Sequence, residues 1–154
     1  MNVYEETKFL MKKYGITANK SLGQNFLVDD SVIQNAVTEA GICKDDLVIE
    51  IGPGLGTFTN ELIKKAAKVI CVELDKRMVE ILKDRFKFYD NIEIINEDIL
   101  KVDINKIVQE NDRLKIKIVR KSSILYNNSN YNEAFRKQSK IRKYNCNDTK
   151  RSCR

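Results

Sequence analysis

Hydrophobic and polar residues alternate along the first 119 residues in the manner of strands separated by helices. Four short apolar runs end in glycine or polar residues, which is typical of buried strands. The runs lie at residues 47–51, 69–74, 92–95 and 114–119. Apolar residues at helical spacing fill the intervals between the runs, and they predict helices at 58–67, 77–88 and 103–110.

Two more helices are predicted before the first strand. Residues 3–14 carry apolar side chains at helical spacing. The second helix contains Ile33 and Val37, and it follows the polar residues 29–31, which suit an N-cap. Gly41 suits the position just past its end, because glycine readily adopts the left-handed conformation found there.

The predicted strands recur at a regular interval. They begin near residues 47, 69, 92 and 114, which are 22 or 23 residues apart. This interval suits βαβ units with short loops, and such units build a parallel sheet with helices on both faces. The sequence therefore predicts an α/β fold. In open parallel sheets ligands bind beyond the carboxyl ends of the strands, so the residues that follow each strand are the first to inspect for function.

The composition excludes several kinds of site. The 154 residues suffice for one domain of ordinary size. The absence of histidine removes Ser-His-Asp hydrolysis and every His-ligated metal site, and the four cysteines form no CxxC pair. No apolar run reaches the roughly 20 residues of a membrane span, and the acidic start does not resemble a signal peptide. A cytoplasmic protein without a metal or a membrane partner is expected.

Positive charge is concentrated at the end of the chain. Residues 1–119 hold 18 basic and 20 acidic residues, whereas residues 120–154 hold 10 basic and 2 acidic residues, and the whole chain has a net charge of +6. All six glycines and the one proline lie at or before Gly56. On composition alone two interpretations remain open for residues 120–154. They are a basic arm that contacts phosphates, or sequence that does not fold.

The first predicted strand runs directly into a glycine-rich turn. Gly52, Gly54 and Gly56 follow it at every second position. Glycine lets a backbone turn sharply and approach a ligand without a Cβ atom in the way. A dinucleotide site reads G-x-G-x-x-G, whereas the third glycine here comes one residue early, so the turn favours a ligand without a pyrophosphate. The alternative is a glycine-rich turn that binds nothing.

Acidic residues follow the next two strands. Glu73 closes the second strand, 21 residues after Gly52, and this spacing suits a carboxylate hydrogen-bonded to ribose hydroxyls. Asp98 follows the third strand and suits the exocyclic amine of an adenine, although an aspartate at this place also suits a turn. Together these residues predict an adenosine pocket. Because no pyrophosphate site accompanies it, S-adenosylmethionine (SAM) fits better than NAD.

A polar segment precedes the sheet. Asn25 could offer its amide to the polar end of the ligand while Phe26 and Leu27 cover it. A loop that packs on the core is the alternative interpretation of this segment.

Four ordered motifs resemble those of the ribosomal RNA adenine-N6 dimethyltransferases, the kasugamycin-susceptibility methyltransferases of bacteria. The motifs are S-L-G-Q-N-F-L at 21–27, E-I-G-P-G-L-G at 50–56, V-E-L-D at 72–75 and E-D-I-L at 97–100. The resemblance covers about residues 10–119. The related macrolide-resistance methyltransferases of large-subunit rRNA share the glycine and Gln-Asn-Phe motifs, but residues 22–23 and 28–29 favour the small-subunit group.

The resemblance implies a Rossmann-like, SAM-dependent methyltransferase. Enzymes of this family transfer two methyl groups to each of two adjacent adenines near the 3′ end of small-subunit (16S) rRNA. Small-subunit rRNA or a pre-ribosomal particle is therefore the implied partner. By position, the resemblance assigns cofactor contacts to Asn25, Leu27, Gly52, Gly54, Glu73 and Asp98.

The chain departs from the family where the fourth strand ends. The family carries Asn-Leu/Ile-Pro-Tyr there, whereas Val119 in this chain is followed by R-K-S-S-I-L-Y. In that motif the Asn side chain and a backbone carbonyl hold the amine of the target adenine, and the Tyr stacks on the flipped base. No residue after Val119 is therefore assigned a catalytic role, and this copy is expected to be inactive.

The loss of the motif coincides with the change in charge. Residues 1–119 are expected to form the N-terminal part of the SAM-binding domain. Residues 120–154 are expected to be a disordered, out-of-frame tail, because a wrong frame of an AT-rich gene yields an excess of Asn, Lys, Ser, Tyr and Arg. One alternative is a non-enzymatic RNA-binding protein that acts through this basic tail. Another is an NAD-dependent oxidoreductase, which the glycine spacing and the lack of histidine disfavour.

Overall fold

Five helices and four strands alternate along the part of the chain that the computed structural model describes, residues 2–17 and 30–120. In chain order they are α1 (Val3–Lys13), α2 (Asp30–Glu39), β1 (Asp46–Ile51), α3 (Thr57–Lys65), β2 (Lys68–Glu73), α4 (Lys76–Phe86), β3 (Ile92–Asn96), α5 (Ile104–Glu110) and β4 (Lys115–Arg120). The motif at 21–27 and the tail from residue 121 lie outside the described residues.

Each helix begins and ends close to where the sequence predicts. Asp75 and Asp103 cap α4 and α5 by accepting hydrogen bonds from backbone N–H groups of the first turn. Asn2 and Glu5 form a capping box at the start of α1. Gly41, with a φ of +55°, follows α2 in the left-handed conformation. None of the described helices is long and apolar enough to cross a membrane.

The four strands form one parallel sheet in the order β3-β2-β1-β4. The chain therefore moves outward from β1 to β3 and then crosses to the opposite side of β1 to add β4. The crevice between β1 and β4 is thus the switch point of the sheet, where ligands of open α/β proteins bind. In the register, Ile51 at the end of β1 lies opposite Arg120 at the end of β4.

Helices cover both faces of the sheet, as predicted. One hydrophobic cluster joins α2, α3 and α4 to the side chains of Val48, Val69 and Cys71. The other joins α5 to Leu47 and Ile49, which point to the opposite face of β1. Because β1 is buried on both faces, its apolar run is continuous, and this explains why the strand could be predicted from the sequence.

Polar contacts hold α1 against α4. Glu6 forms an ion pair with Arg85, and the hydroxyl of Tyr14 donates a hydrogen bond of 2.6 Å to Asp84 Oδ2. Lys13 also contacts this carboxylate, at 3.4 Å. The hydrogen bond from Tyr14, with those from Lys87 and Lys13, lowers the pKa of Asp84 to about 2.

Replacing Tyr14 by Phe is expected to raise the pKa of Asp84 from about 2 towards its ordinary value of about 4. A carboxyl whose pKa is lowered by folding adds stability above its unfolded pKa, and this contribution disappears as the pH falls from about 4 to about 2. The variant should therefore lose less stability over this pH range than the parent chain does. A carboxyl-detected NMR titration measures the shift, and an unchanged Asp84 pKa in Tyr14→Phe would contradict the assignment.

Candidate functional site

The carboxyl ends of β1, β2 and β3 meet at one edge of the sheet. In the register, Ile51 lies opposite Val72, and Glu73 lies opposite Asn96. The backbone N–H of Gly52 donates a hydrogen bond of 2.9 Å to the Val72 carbonyl, which extends the ladder into the glycine-rich turn. The turn and the acidic end of β2, which the sequence analysis singled out separately, are therefore adjacent.

The carboxylate of Glu73 contacts the glycine-rich turn directly. Its Oε2 accepts a hydrogen bond of 3.1 Å from the Gly54 N–H, and its Oε1 accepts one of 2.9 Å from the Asp75 N–H. The residue is only 8% exposed. A carboxylate can accept about four hydrogen bonds, so Glu73 holds the turn and retains capacity for the hydroxyls of a ligand.

Two glycines of the turn serve different purposes. A Cβ atom added at Gly52 would meet nothing within 4 Å, so this glycine leaves space beside the backbone. A Cβ atom added at Gly56 would lie 2.7 Å from both Leu82 Cδ2 and Phe86 Cε2, which belong to the buried face of α4. Gly52 therefore suits close approach by a ligand, whereas Gly56 lets the start of α3 pack on α4.

A partly buried arginine, Arg85, contacts the other side of the turn. The guanidinium of Arg85 donates a hydrogen bond to the carbonyl oxygen of Leu55 and a second one to Glu6 on α1. Burial lowers the pKa of Arg85, and the charge of Glu6 opposes this effect. The turn is thus held between a carboxylate that binds its N–H group and a guanidinium that binds its carbonyl.

Buried polar side chains lie together where β1 ends. Glu50 is fully buried, and its Oε2 accepts a hydrogen bond of 2.6 Å from the Thr59 hydroxyl. Cys71 lies beside this pair, with Sγ 3.8 Å from the same carboxylate oxygen. Burial raises the pKa of the Cys71 thiol well above its ordinary value, so it stays protonated and does not serve as a nucleophile.

Asp98 lies two residues beyond the end of β3 and caps a turn. Its Oδ1 accepts a hydrogen bond of 2.9 Å from the Leu100 N–H, and its carbonyl accepts one from the Lys101 N–H. The turn interpretation considered for this aspartate is therefore observed. Since a carboxylate can accept further hydrogen bonds, the contact with an adenine amine stays a prediction.

The structure adds residues that the sequence analysis overlooked. The apolar run predicted a strand through Leu74, but β2 ends at Glu73 and leaves the Leu74 side chain 61% exposed beside the site. An apolar side chain at this place suits the face of an aromatic ring. Asn96, which joins β3 to the turn after β2, was also overlooked. An apolar residue directly after the strand-end acid was the available signal for Leu74, and no sequence signal identified Asn96.

Two of the predicted cofactor residues, Asn25 and Leu27, lie outside the described residues. Within residues 2–17 and 30–120, no cluster of three or more acidic or cysteine side chains could hold a metal ion.

Comparisons with known proteins agree with this geometry. The sequence model of a family described as ribosomal RNA adenine dimethylase matches residues 15–132. The ribosomal RNA small subunit methyltransferase A of Lachnoclostridium phytofermentans is 49% identical over 117 residues, which cover 75% of this chain and 40% of the relative. The protein of the same name from Leuconostoc mesenteroides is 46% identical over 115 residues, which cover 73% and 39%.

A solved structure shares the fold. The crystal structure of the 23S rRNA methyltransferase ErmE matches with a TM-score of 0.50 and 27% identity, covering 62% of this chain and 48% of that one. The chain spans about two-fifths of the length of the two curated relatives. Since the family model matches more than half of the chain and the parallel sheet is that of a Rossmann-like methyltransferase, the chain belongs to the ribosomal RNA adenine dimethylase family.

Proposed function

We propose that this chain carries the SAM-binding half of an enzyme that dimethylates N6 of adjacent adenines in small-subunit rRNA. The observation that supports the proposal most directly is the Glu73 carboxylate, which is hydrogen-bonded to the glycine-rich turn at the switch-point edge of the sheet. Relatives named for the small subunit are 46–49% identical, whereas the large-subunit methyltransferase is 27% identical. This difference favours the small subunit as the target.

The residues at this edge fit SAM. The open space beside Gly52 admits the amino-acid part of the cofactor, and Glu73 has acceptor capacity for the ribose hydroxyls. Leu74 offers an exposed apolar surface to the adenine ring, and Asp98 offers a carboxylate to its amine. Asn25 and Leu27 are proposed to complete the pocket by family position. When bound, SAM supplies an electrophilic methyl group on its sulfonium.

Methyl transfer also requires groups that hold the adenine amine, and this chain lacks them after β4. The family places Asn-Leu/Ile-Pro-Tyr at that strand end, which in this sheet lies beside β1 and the glycine-rich turn. We propose that residues 120–154 are an out-of-frame translation caused by one additional nucleotide near codon 120. The chain as it stands is therefore proposed to bind SAM without transferring its methyl group.

The genetic code supports this frame change. When codon 120 is read from its second base, each new codon takes the last two bases of one residue and the first base of the next. One choice of synonymous codons yields the missing motif: with AAA for Lys121 and TCT for Ser122, the shifted codon is AAT, which encodes Asn. Ser122 with Ser123 (TCC) gives CTT for Leu, and Ser123 with Ile124 (ATA) gives CCA for Pro. Ile124 with Leu125 (TTA or TTG) gives TAT for Tyr.

The amino-acid sequence thus permits Asn-Leu-Pro-Tyr in a shifted frame, in order and directly after the fourth strand. The remaining frame, which starts at the third base of codon 120, cannot encode Pro followed by Tyr anywhere in residues 120–154. The two shifted frames are therefore not equivalent, and only one of them can supply the missing motif.

Binding of SAM should depend strongly on Glu73. The Glu73→Ala variant loses contacts between a charged carboxylate and the ribose, and it also loses the bond to Gly54. Hydrogen bonds to charged groups contribute about 1.5–3 kcal/mol each, so affinity should fall at least about a hundredfold. Glu73→Gln should be nearly as damaging, because both carboxylate oxygens accept backbone N–H groups and one of them would become a donor. Isothermal titration calorimetry measures the change.

The matched control is Glu93→Ala, which removes an exposed carboxylate from the same sheet. This variant should bind SAM as the parent chain does, and SAM but not NAD should raise the melting temperature of both. Equal SAM affinity in Glu73→Ala and the parent chain, or protection by NAD, would refute the proposed function.

A further inference from the structure

Asn96 connects the end of β3 to the end of β2, where Glu73 lies. Its Nδ2 donates hydrogen bonds of 2.8 Å to the Glu73 carbonyl and 3.2 Å to the Leu74 carbonyl. Since only the amide nitrogen can donate, these two acceptors also fix the orientation of the side-chain amide. One side chain therefore holds both carbonyls at the point where β2 ends.

This contact is the first step in a chain of hydrogen bonds that leads to the glycine-rich turn. The backbone of Glu73 that Asn96 contacts also carries the Glu73 carboxylate. The Glu73 carboxylate in turn binds the N–H groups of Asp75, at 2.9 Å, and Gly54, at 3.1 Å. The end of β3 is thereby linked to the turn after β1, although β2 lies between them in the sheet.

We propose that Asn96 is a positioning residue, which sets the Glu73 carboxylate in the orientation that binds the ribose of SAM. The proposal rests on the proposed function for its ligand, but the link from Asn96 to Glu73 and Gly54 exists in the protein without ligand. Asn96 itself bonds to backbone carbonyls and acts on the ligand only through Glu73.

Asn91 provides a matched control at the opposite end of β3. Its Nδ2 donates a hydrogen bond of 3.0 Å to the Ile63 carbonyl, so Asn91→Ala removes the same kind of contact far along the strand from the site. Asn96→Asp is the second test variant, because it keeps the size of the side chain but removes the donor. Asn96 is exposed, so neither substitution disturbs the core.

Hydrogen exchange of the full chain without ligand is the first measurement. In Asn96→Ala and Asn96→Asp, the backbone amides of Gly54 and Asp75 should exchange about tenfold faster than in the parent chain, which corresponds to the loss of one ordinary hydrogen bond. In Asn91→Ala these two amides should be unchanged. Unchanged exchange at Gly54 and Asp75 in both Asn96 variants would overturn the proposal.

Calorimetry with SAM is the second measurement. The Asn96 variants should bind about tenfold more weakly, Asn91→Ala should bind normally, and Asn96→Ala should cause no further loss in a Glu73→Ala background. Unchanged affinity despite faster amide exchange, or full additivity with Glu73→Ala, would overturn the proposal. The Gly54 and Asp75 amides could exchange faster in the Asn96 variants while the parent chain does not bind SAM. This result would support the positioning of Glu73 by Asn96 and would refute the proposed function.

Discussion

Removing one nucleotide at codon 120 should convert a chain without methyl transfer into one that methylates adenines of small-subunit rRNA. The frame read from the second base of codon 120 can encode Asn-Leu-Pro-Tyr at the end of β4, beside Ile51 and the glycine-rich turn. The side chain and backbone acceptors of that motif hold the adenine amine towards the methyl donor. A single preorganised group of this kind changes kcat by about 10²–10³, so activity should rise from background by at least about a hundredfold.

Transfer of labelled methyl groups from SAM to unmethylated small-subunit particles measures this change. Removing two nucleotides at the same codon is the control, because that frame cannot encode Pro followed by Tyr and should stay inactive. The nucleotide sequence around codon 120 is the earlier and cheaper check. Codons that do not give Asn-Leu-Pro-Tyr when read from the second base, or turnover by the unaltered chain, would refute the frame change.

Replacing Gly56 by Ala should destabilise the domain more than any other glycine substitution in the turn. The added Cβ would lie 2.7 Å from Leu82 and Phe86, and the backbone φ of +76° is unfavourable for alanine. The left-handed conformation costs about 1–2 kcal/mol and overpacking of a core costs about 1–3 kcal/mol. The free energy of unfolding should therefore fall by about 2–5 kcal/mol, as measured by urea denaturation.

Alanine variants of Gly15 and Gly52 are controls that separate the cost of the left-handed backbone from the cost of steric overlap. Both have positive φ angles, of +61° and +66°, and a Cβ atom at either would meet nothing within 4 Å. Gly15→Ala and Gly52→Ala should each cost only the conformational part, about 1–2 kcal/mol. Gly52→Ala should in addition weaken SAM binding. If Gly56→Ala costs no more than Gly15→Ala, its contact with α4 is not the reason for glycine at this position.

The fold was predictable from the sequence largely because the two central strands of the sheet are buried on both faces. β1 and β2 lie under helices on each side, so their residues form continuous apolar runs that stand out from the amphipathic helices. The apolar run extends one residue beyond β2, since Leu74 is as apolar as the strand before it, whereas the assignment of Glu73 to the strand end is confirmed. The ladder ends at Glu73 because its partner, β3, ends opposite it at Asn96.

The candidate site was predictable only in part. Gly52 and Glu73 follow strand ends at a recognisable spacing, so local sequence was sufficient to select them. The bonds from Gly54 to Glu73, from Asn96 to Glu73 and from Arg85 to Leu55 join residues 19, 23 and 30 positions apart. Such bonds depend on strand register and helix packing, which the pattern along the chain does not contain. For the same reason, the sequence did not indicate the role of Gly56, which depends on how closely α4 packs against it.

Arg85 links α1 to the glycine-rich turn, at the edge of the sheet where the ligand is proposed to bind. Its guanidinium bonds at once to Glu6 on α1 and to the carbonyl of Leu55 in the glycine-rich turn. If docking of α1 raises the affinity for a ligand through this contact, ligand binding stabilises the docked α1 by the same coupling free energy. Under such coupling, cofactor binding should increase the protection of the α1 amides and the resistance to proteolysis near the start of the chain.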